Sequence, residues 1–477
     1  MLWLIIPVLI LLFLVVILIR AILFRPSVEE QLPIGEAAVN GQRAIAHLAE
    51  MIRCRTVSYY QEELIDNLEF QKFKELLKRL YPRVYSTCSF EYIGRTGILY
   101  RLAGESDLSP SVFMAHYDVV PANEQAWEKP AFDGFIEDEI LWGRGTLDTK
   151  CTLCGVLESA ETLLEQGFKP KNDIYFAFSG DEEISGESAP EMVNELERRG
   201  IKPALVIDEG GAVVEHVFPG VKQPCALIGI GEKGMLDVEF ILEGKGGHAS
   251  APPPHSPVGV LAKAVIAVEN HPFKYQLTKP AKEMFNTLGR HSSFLYRLVF
   301  SNLWCFTPVL DLLCRKTGGE LNALLRTTCA FTMMEGSRAI NVIPPMAKIG
   351  VNLRLAGTDT VERAIAYLKS VIRNDQIAVN TIYGMNASLI SETKGEGWDK
   401  LKRAICQTWP DALVSPYLMI ACSDSRHYGR ISNSVYRFSA MALTAEERGM
   451  IHGNNERIPL DKIITTVQFY VRLMRSC

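Results

Sequence analysis

Four acidic or histidine-bearing clusters stand where short apolar, strand-like segments end, and this arrangement constrains the fold more than any other feature of the chain. His116-Tyr117-Asp118 follows the segment 111–115, Asp181-Glu182-Glu183 follows 174–178, and Asp208-Glu209 follows 204–207. The fourth cluster is Asp148, in Gly143-Arg144-Gly145-Thr146-Leu147-Asp148-Thr149-Lys150. Helix-periodic stretches over 151–166 and 190–199 lie between the strands. Strands alternating with helices predict an α/β fold with a mixed, mostly parallel sheet flanked by helices. Ligands of such sheets gather at the carboxyl ends of the strands, so the four clusters are expected to share one crevice. His452, in Ile451-His452-Gly453-Asn454-Asn455-Glu456, follows much later in a loop-like stretch.

A different rhythm begins near Gly234. Strands over 235–243, 329–334, 348–355 and 377–383 and helices over 257–269 and 360–373 follow in the order β-α-β-β-α-β, a split βαβ sandwich once the segment 275–325 is set aside. The helical pattern then resumes over 395–410 and 460–474. The expected organisation is a transmembrane anchor over 1–25, a linker over 26–41 and a first catalytic segment over 42–230. A lid domain over 231–385 follows, with a helical insertion near 275–325, and 386–477 completes the catalytic domain.

Residues 2–19 form an uncharged apolar run interrupted only by Pro7, and continuing to Phe24 gives the ~20 residues a membrane-crossing helix needs. There is no basic segment before it and no convincing small-residue cleavage site, so an uncleaved single-pass anchor is the expectation over a signal peptide. Arg20 and Arg25 follow the span, which places the large domain on the cytoplasmic face. The sequon Asn386-Ala387-Ser388 would be usable only in a secretory lumen, so the side of the membrane stays open. Eleven cysteines, an odd number spread over the chain, suit reduced thiols better than a disulfide framework. Cys151-Thr152-Leu153-Cys154 has no second pair to make a metal site.

The chain of 477 residues is 48% hydrophobic and carries a formal net charge of −5 without basic blocks. That excludes a disordered protein, and it disfavours nucleic acid as a partner because phosphate contacts need clustered Lys and Arg. A single credible span disfavours a channel or transporter.

Taken one at a time, an acid after a strand is a helix cap or a solvated charge, and a loop histidine is a surface donor. Together they suit a metal pair. Imidazole and carboxylate ligands fit zinc, and one carboxylate can bridge two ions ~3.5–4 Å apart. An adjacent Glu-Glu pair lets one carboxylate bind metal while the other handles a proton.

The segments MAHYDVVPA, GRGTLDTK, SGDEEISG, VIDEGG, GKGGHASAPP and IHGNNE, with Trp127 to Phe132 between the first two, resemble in sequence and order the di-zinc metallopeptidase family of carboxypeptidase S, aminoacylase and acetylornithine deacetylase. Within it they are most similar to the branch of carboxypeptidase S and the N-fatty-acyl-amino-acid synthase/hydrolases. The likeness runs from about residue 40 to the end. It implies a zinc-peptidase-like fold with an inserted lid of the dimerisation type, and two Zn²⁺ ions, with Co²⁺ or Mn²⁺ as substitutes. His116 and Asp208 would bind one ion, Glu183 and His452 the other, and Asp148 both. Asp118 would orient His116, and Glu182 would be the general base.

From the lid, the resemblance implies His248 as a donor to the tetrahedral oxyanion, and Asn341 and Arg354 as a clasp on a substrate carboxylate. Arg426, in Ser423-Asp424-Ser425-Arg426, is either a second carboxylate contact or a structural partner of Asp424. The implied activity is hydrolysis, or the reverse synthesis, of the amide bond of N-acyl-amino acids. The alternatives are a carboxypeptidase or dipeptidase on short peptides, and a catalytically silent binding protein. The apolar segment 293–314 reads first as a helical hairpin burying its own core, and otherwise as a wall for an acyl chain or a surface resting on the bilayer. A homodimer through the lid stays open.

Overall fold

All eight residues of the strand Asn172–Ser179 are buried, and a strand without a wet face needs helices on both sides. The computed structural model, which describes residues 2–26, 33, 35 and 37–477, supplies them. Of the linker expected over 26–41, residues 27–32, 34 and 36 lie outside the described residues. An eight-stranded sheet runs in the order Ser89–Ile93, Gly97–Leu102, Asn172–Ser179, Ser106–His116, Leu205–Val214, Val435–Leu443, Cys225–Glu232, Leu413–Met419. Its centre is parallel, with Ser106–His116 paired on both sides to parallel neighbours. Helices Gly41–Ile52, Lys150–Glu165, Glu396–Thr408 and Leu460–Arg475 share one apolar cluster with the sheet. Ser188–Arg198 covers the opposite face, where Met192, Val193 and Leu196 meet Val112, Met114 and Tyr175.

The strand expected over 204–207 continues to Val214, so Asp208 and Glu209 lie within it rather than after it. Its pairing with Val435–Leu443 jumps from Arg437 opposite Asp208 to Phe438 opposite Gly211, which leaves Glu209 and Gly210 without partners. A bulge of this kind turns side chains away from the regular alternation. Gly210 permits it, with φ at +138° and no room for a Cβ, which would come within 2.7 Å of Met419 and Arg437.

A second, wholly antiparallel sheet has the order Thr328–Glu335, Met346–Leu355, Gly234–Glu243, Ala378–Met385. Gly234–Glu243 alternates buried and half-buried residues, as a sheet covered on one face should. The cover is Pro257–Asn270 and Val361–Ile372, whose Leu261, Ala264, Ala364 and Leu368 meet Leu236, Val238 and Val351. Both helices begin at hydroxyl caps, Ser256 and Thr360.

Between them the chain forms Lys279–His291, Phe294–Phe300, Leu303–Thr317 and Gly319–Leu325. This insertion buries its core jointly with the edge of the large sheet rather than alone. Met284, Phe285, Leu288 and Phe300 pack with Phe218, Cys225 and Leu418 at the edge of the large sheet. The N-terminal helix Leu2–Leu23 rests on the insertion, where Ile17 and Ala21 are buried and Phe13 meets Trp304 edge-on at 5.8 Å. Its stretch Ile5–Leu23, of mean hydropathy 3.2, is long and apolar enough to cross a membrane.

Candidate metal centre

His116 ends the central strand, buried, and its two ring nitrogens face different neighbours. Nδ1 lies 3.0 Å from the Asp118 carbonyl and 3.3 Å from Asp118 Oδ1, while Nε2 lies 2.9 Å from Asp148 Oδ1. An Nδ1–H held this way leaves Nε2 as the basic nitrogen. Asp118 does more than orient the ring. Its carboxylate accepts from Ser58 Oγ at 2.7 Å and from the backbone N–H groups of Glu182 and Glu183 at 3.2 and 3.1 Å. One buried acid therefore fixes both the imidazole and the short turn that carries the Glu-Glu pair.

Asp148 sits between two imidazoles. Its second oxygen, Oδ2, is 3.1 Å from His452 Nε2, which also lies 3.0 Å from Glu183 Oε2. The loop that presents Asp148 is organised by Glu456, a residue given no role by sequence reasoning. Fully buried, it accepts from the N–H groups of Gly145, Leu147 and Asp148 and pairs with Arg144 at 2.8 Å. Arg144 in turn donates to the Gly453 carbonyl, so the same pair holds the His452 loop. Three spare N–H groups converging on one point are a backbone property that no residue type announces.

The bulge in Leu205–Val214 sets how its two neighbouring acids face the group. Glu209 Oε1 is 3.4 Å from His116 Nε2, whereas Asp208, which the resemblance pairs with His116, accepts from Ser425 N–H at 3.0 Å. Glu182 Oε2 stands 4.0 Å from the same nitrogen. Ligand atoms of His116, Asp148 and Glu183 lie within 4.8 Å of one another, and so do those of His116, Glu182 and Glu209.

The charge balance favours a cation. Burial, partly offset by His116, pushes Glu182 well above the usual carboxyl range, and burial with the field of Asp148 lifts Glu209 to about 8. Glu183 is also raised by burial, and its buried Oε1 has no hydrogen-bond partner. Asp148 is held low against its burial by its bonds to the two histidines. His452 is raised to about 10 by Asp148 and Glu183. More acids than bases meet here, and one buried oxygen, Glu183 Oε1, has no hydrogen-bond partner. A cation bound by imidazole and carboxylate satisfies both conditions.

A cavity of about 160 Å³ adjoins Glu182, lined also by Tyr383, Cys422, Asp424, Arg426 and His427. Arg354 Nη1 donates to Cys422 Sγ at 3.5 Å from the lid side. Arg426 is held not by Asp424 but by buried Glu232 at 3.4 Å, and it donates to the Asn386 carbonyl. Asp424 instead accepts from Ser179 Oγ at short range. Glu232 also accepts from Ser423 Oγ at 2.8 Å and Arg437 Nε at 2.6 Å, so Arg426 is aimed by a network inside the large sheet.

His248 and Asn341 stand apart from these groups, on the lid. The short strand Gly247–His248 pairs with Val342–Ile343, and Ala249 N–H donates to the Asn341 carbonyl at 3.0 Å. Both residues are exposed and share no recorded hydrogen bond or ion pair with the cluster. Ser250 N–H donates to His248 Nδ1 at 3.1 Å, which makes Nδ1 the acceptor and puts the proton of the neutral ring on the outward-facing Nε2.

Comparisons with known proteins agree with this arrangement. The model of peptidase family M20/M25/M40 matches residues 112–476. A carboxypeptidase S-like protein of Dictyostelium discoideum is 35% identical over 437 residues, 90% of this chain and 84% of that protein. An N-fatty-acyl-amino acid synthase/hydrolase of Xenopus tropicalis is 34% identical over 441 residues, 91% and 86% of the two chains. Among solved structures, the M20 metallo-carboxypeptidase Sso-CP2 of Sulfolobus solfataricus aligns with a TM-score of 0.67 at 18% identity, over 91% of this chain and 98% of that one. Human carnosine dipeptidase 1 aligns at 0.64 and 15% identity, over 91% and 96%.

Proposed function

The chain belongs to peptidase family M20/M25/M40, whose members are metal-dependent hydrolases, and from that premise we propose that it cleaves the amide bond of N-acyl-amino acids. The observation that carries this reading is Arg426 in the wall of the small cavity beside Glu182, with Arg354 bonded to Cys422 of the same wall. Arg354 and Arg426 approach Cys422 from the lid and the large sheet respectively, at the wall of a space of about 160 Å³. Guanidinium forks at a cavity of that size suit a free α-carboxylate, the group that N-acyl-amino acids and peptide C-termini share.

Two zinc ions are the cofactor this donor set fits best, with cobalt or manganese as substitutes. His116, Asp148 and Glu209 or Asp208 would hold one ion, and Asp148, Glu183 and His452 the other. When bound, the metal pair supplies Lewis acidity to the scissile carbonyl and brings the pKa of water towards ~7. The chain's own residues do the rest. Glu182, unbonded to either histidine and raised by burial, takes a proton from the attacking water and delivers it to the departing amine nitrogen. His248 donates through Nε2 to the oxyanion once the lid brings it near, and Asn341 and the arginines fix the carboxylate end. The same proton carrier serves the reverse condensation. The N-terminal helix is a retained anchor that keeps this chemistry at a membrane, where long-chain acyl substrates concentrate.

The relative from Xenopus tropicalis supports the acyl-amino acid reading, and the carboxypeptidase S-like relative supports short peptides as the second. A zinc-loaded preparation of the full chain, offered N-acetyl, N-oleoyl and aminoacyl forms of the same amino acids, separates them. Faster turnover of the N-oleoyl forms is expected. A preference for dipeptides would replace this reading with a membrane-tethered carboxypeptidase, and an inert, metal-loaded protein would end both.

A further inference from the structure

The N-terminal helix and the lid insertion enclose a groove of about 1030 Å³, at the upper end of small-ligand pockets. One side is apolar, with Phe24, Leu277, Phe300, Leu303 and Trp304. The other carries Arg20, Lys279, Lys282 and Arg290 against a single acid, Glu283. Lys279 is paired with Glu392 at 2.9 Å, and Glu283 accepts from Thr393 Oγ1. Arg20, Lys282 and Arg290 have no ion pair among the described residues.

The position of the groove is set by the helix. Ile5–Leu23 spans roughly 28 Å at 1.5 Å per residue, close to the ~30 Å of a bilayer's hydrocarbon core. Arg20 stands in its last turn, at the depth of the lipid headgroups. The helix is docked there by specific polar bonds. The Arg20 guanidinium donates twice to the Ser301 carbonyl, at 3.1 and 2.9 Å, and Asn302 Nδ2 donates to the Ile17 carbonyl at 3.1 Å. Arg290 bonds the Arg25 carbonyl and lies over the Phe24 ring. Beside the helix, Trp304, Val309, Leu312 and Leu313 of the insertion are exposed. An apolar surface continuous with a membrane-crossing helix shares its solvent.

We propose that this groove holds an anionic phospholipid of the bilayer, its phosphate against Arg20, Lys282 and Arg290 and its acyl chains along Phe24, Leu303 and Trp304, so that the lid insertion is seated in the membrane surface. The proposal rests on the reading of the N-terminal helix as a retained anchor. It makes the insertion a membrane element rather than a wall of the substrate site, and it couples the lid directly to the lipid.

The test uses the full chain in phosphatidylcholine nanodiscs with and without phosphatidylglycerol, with retained lipid read by native mass spectrometry. Phosphatidylglycerol should be retained over phosphatidylcholine, and Lys282→Gln and Arg290→Gln should each weaken retention about fivefold, the worth of one basic residue at an anionic surface. Bromine on the acyl chains should quench Trp304, so that Trp304→Phe lowers the quenched fraction. Unchanged retention in the double variant would overturn the lipid site alone. So would displacement of the lipid by glycerol 3-phosphate in detergent, because the groove would then read a soluble phosphate. An amino terminus beyond residue 25 in the mature protein would overturn the anchor and the lipid site together.

Discussion

The two halves of the site are built to different standards. The half carried by the large sheet is buried and tied down. Asp118 is fully buried and accepts from Ser58, Glu182 and Glu183, and Glu456 is fully buried and gathers three N–H groups and Arg144. On the half carried by the lid His248 and Asn341 are exposed, and the His248 ring is bonded to Ser250 alone among the described residues. Groups that must hold a multivalent cation gain from rigidity, because every misplaced ligand leaves a buried charge uncompensated. Groups that meet only the substrate must let it in first, and they are presented on an element that can approach it. Substitutions of the expected ligands and their supports in the first half should therefore change metal content and stability, while those at Glu182 and in the second half should change rate alone.

The largest effect expected is at Glu182. Glu182→Gln should lower kcat by about 10²–10⁴-fold while metal analysis still finds a loaded protein. Loss of the metal along with the rate would make Glu182 a ligand and erase the distinction between proton carrier and cradle. Next comes the lid: His248→Ala should cost about 10²–10³ in kcat, with the melting temperature and metal content of the parent. A fall in thermal stability would show that the lid half is prebuilt as well. Glu456→Gln touches no expected ligand, yet it should weaken metal binding about 10–100-fold in a chelator competition, because the Asp148 loop would lose its organiser. Wild-type metal affinity in that variant would break the comparison from the other side. The smallest effect belongs to Ser250→Ala. It leaves the backbone N–H that sets the His248 tautomer and removes only the hydroxyl, so kcat should fall about threefold, near the worth of one ordinary hydrogen bond.

The α/β class and the convergence of His116, Glu182 and Glu183 are legible in the sequence because these residues follow apolar segments whose ends the topology places in one crevice, whereas Asp148 and His452 stand in loop-like stretches and join the set through the family resemblance. The strands Cys225–Glu232, Leu413–Met419 and Val435–Leu443 are not legible. Glycines at 229 and 231, and Pro416 on the edge strand, break the apolar patterns that mark a strand. That omission propagated to the site. The bulge that turns Glu209 towards His116 is set by pairing with Val435–Leu443, so the residue pattern without that strand does not show Glu209 beside His116, and the expectation of Asp208 comes from the resemblance. Glu456 escaped for a related reason: its partners are backbone groups in a loop 308 to 311 positions away. The apolar residues of 293–314 suffice for a hairpin that buries its own core, and only the structure adds Phe218, Cys225 and Leu418, distant in the chain, to the core they form.

The tie between Arg144 and Glu456 spans 312 positions, and His452 joins Asp148 from the same late segment. During synthesis the ribosome releases His116, Asp148 and Glu183 long before the residues that complete their cradle, and for that interval the acids have neither metal nor counter-charge. A chain ending before residue 452 would lack both His452 and the buried face of Leu460–Arg475, so the group around Asp148 and the core beneath the large sheet are completed by the same late segment.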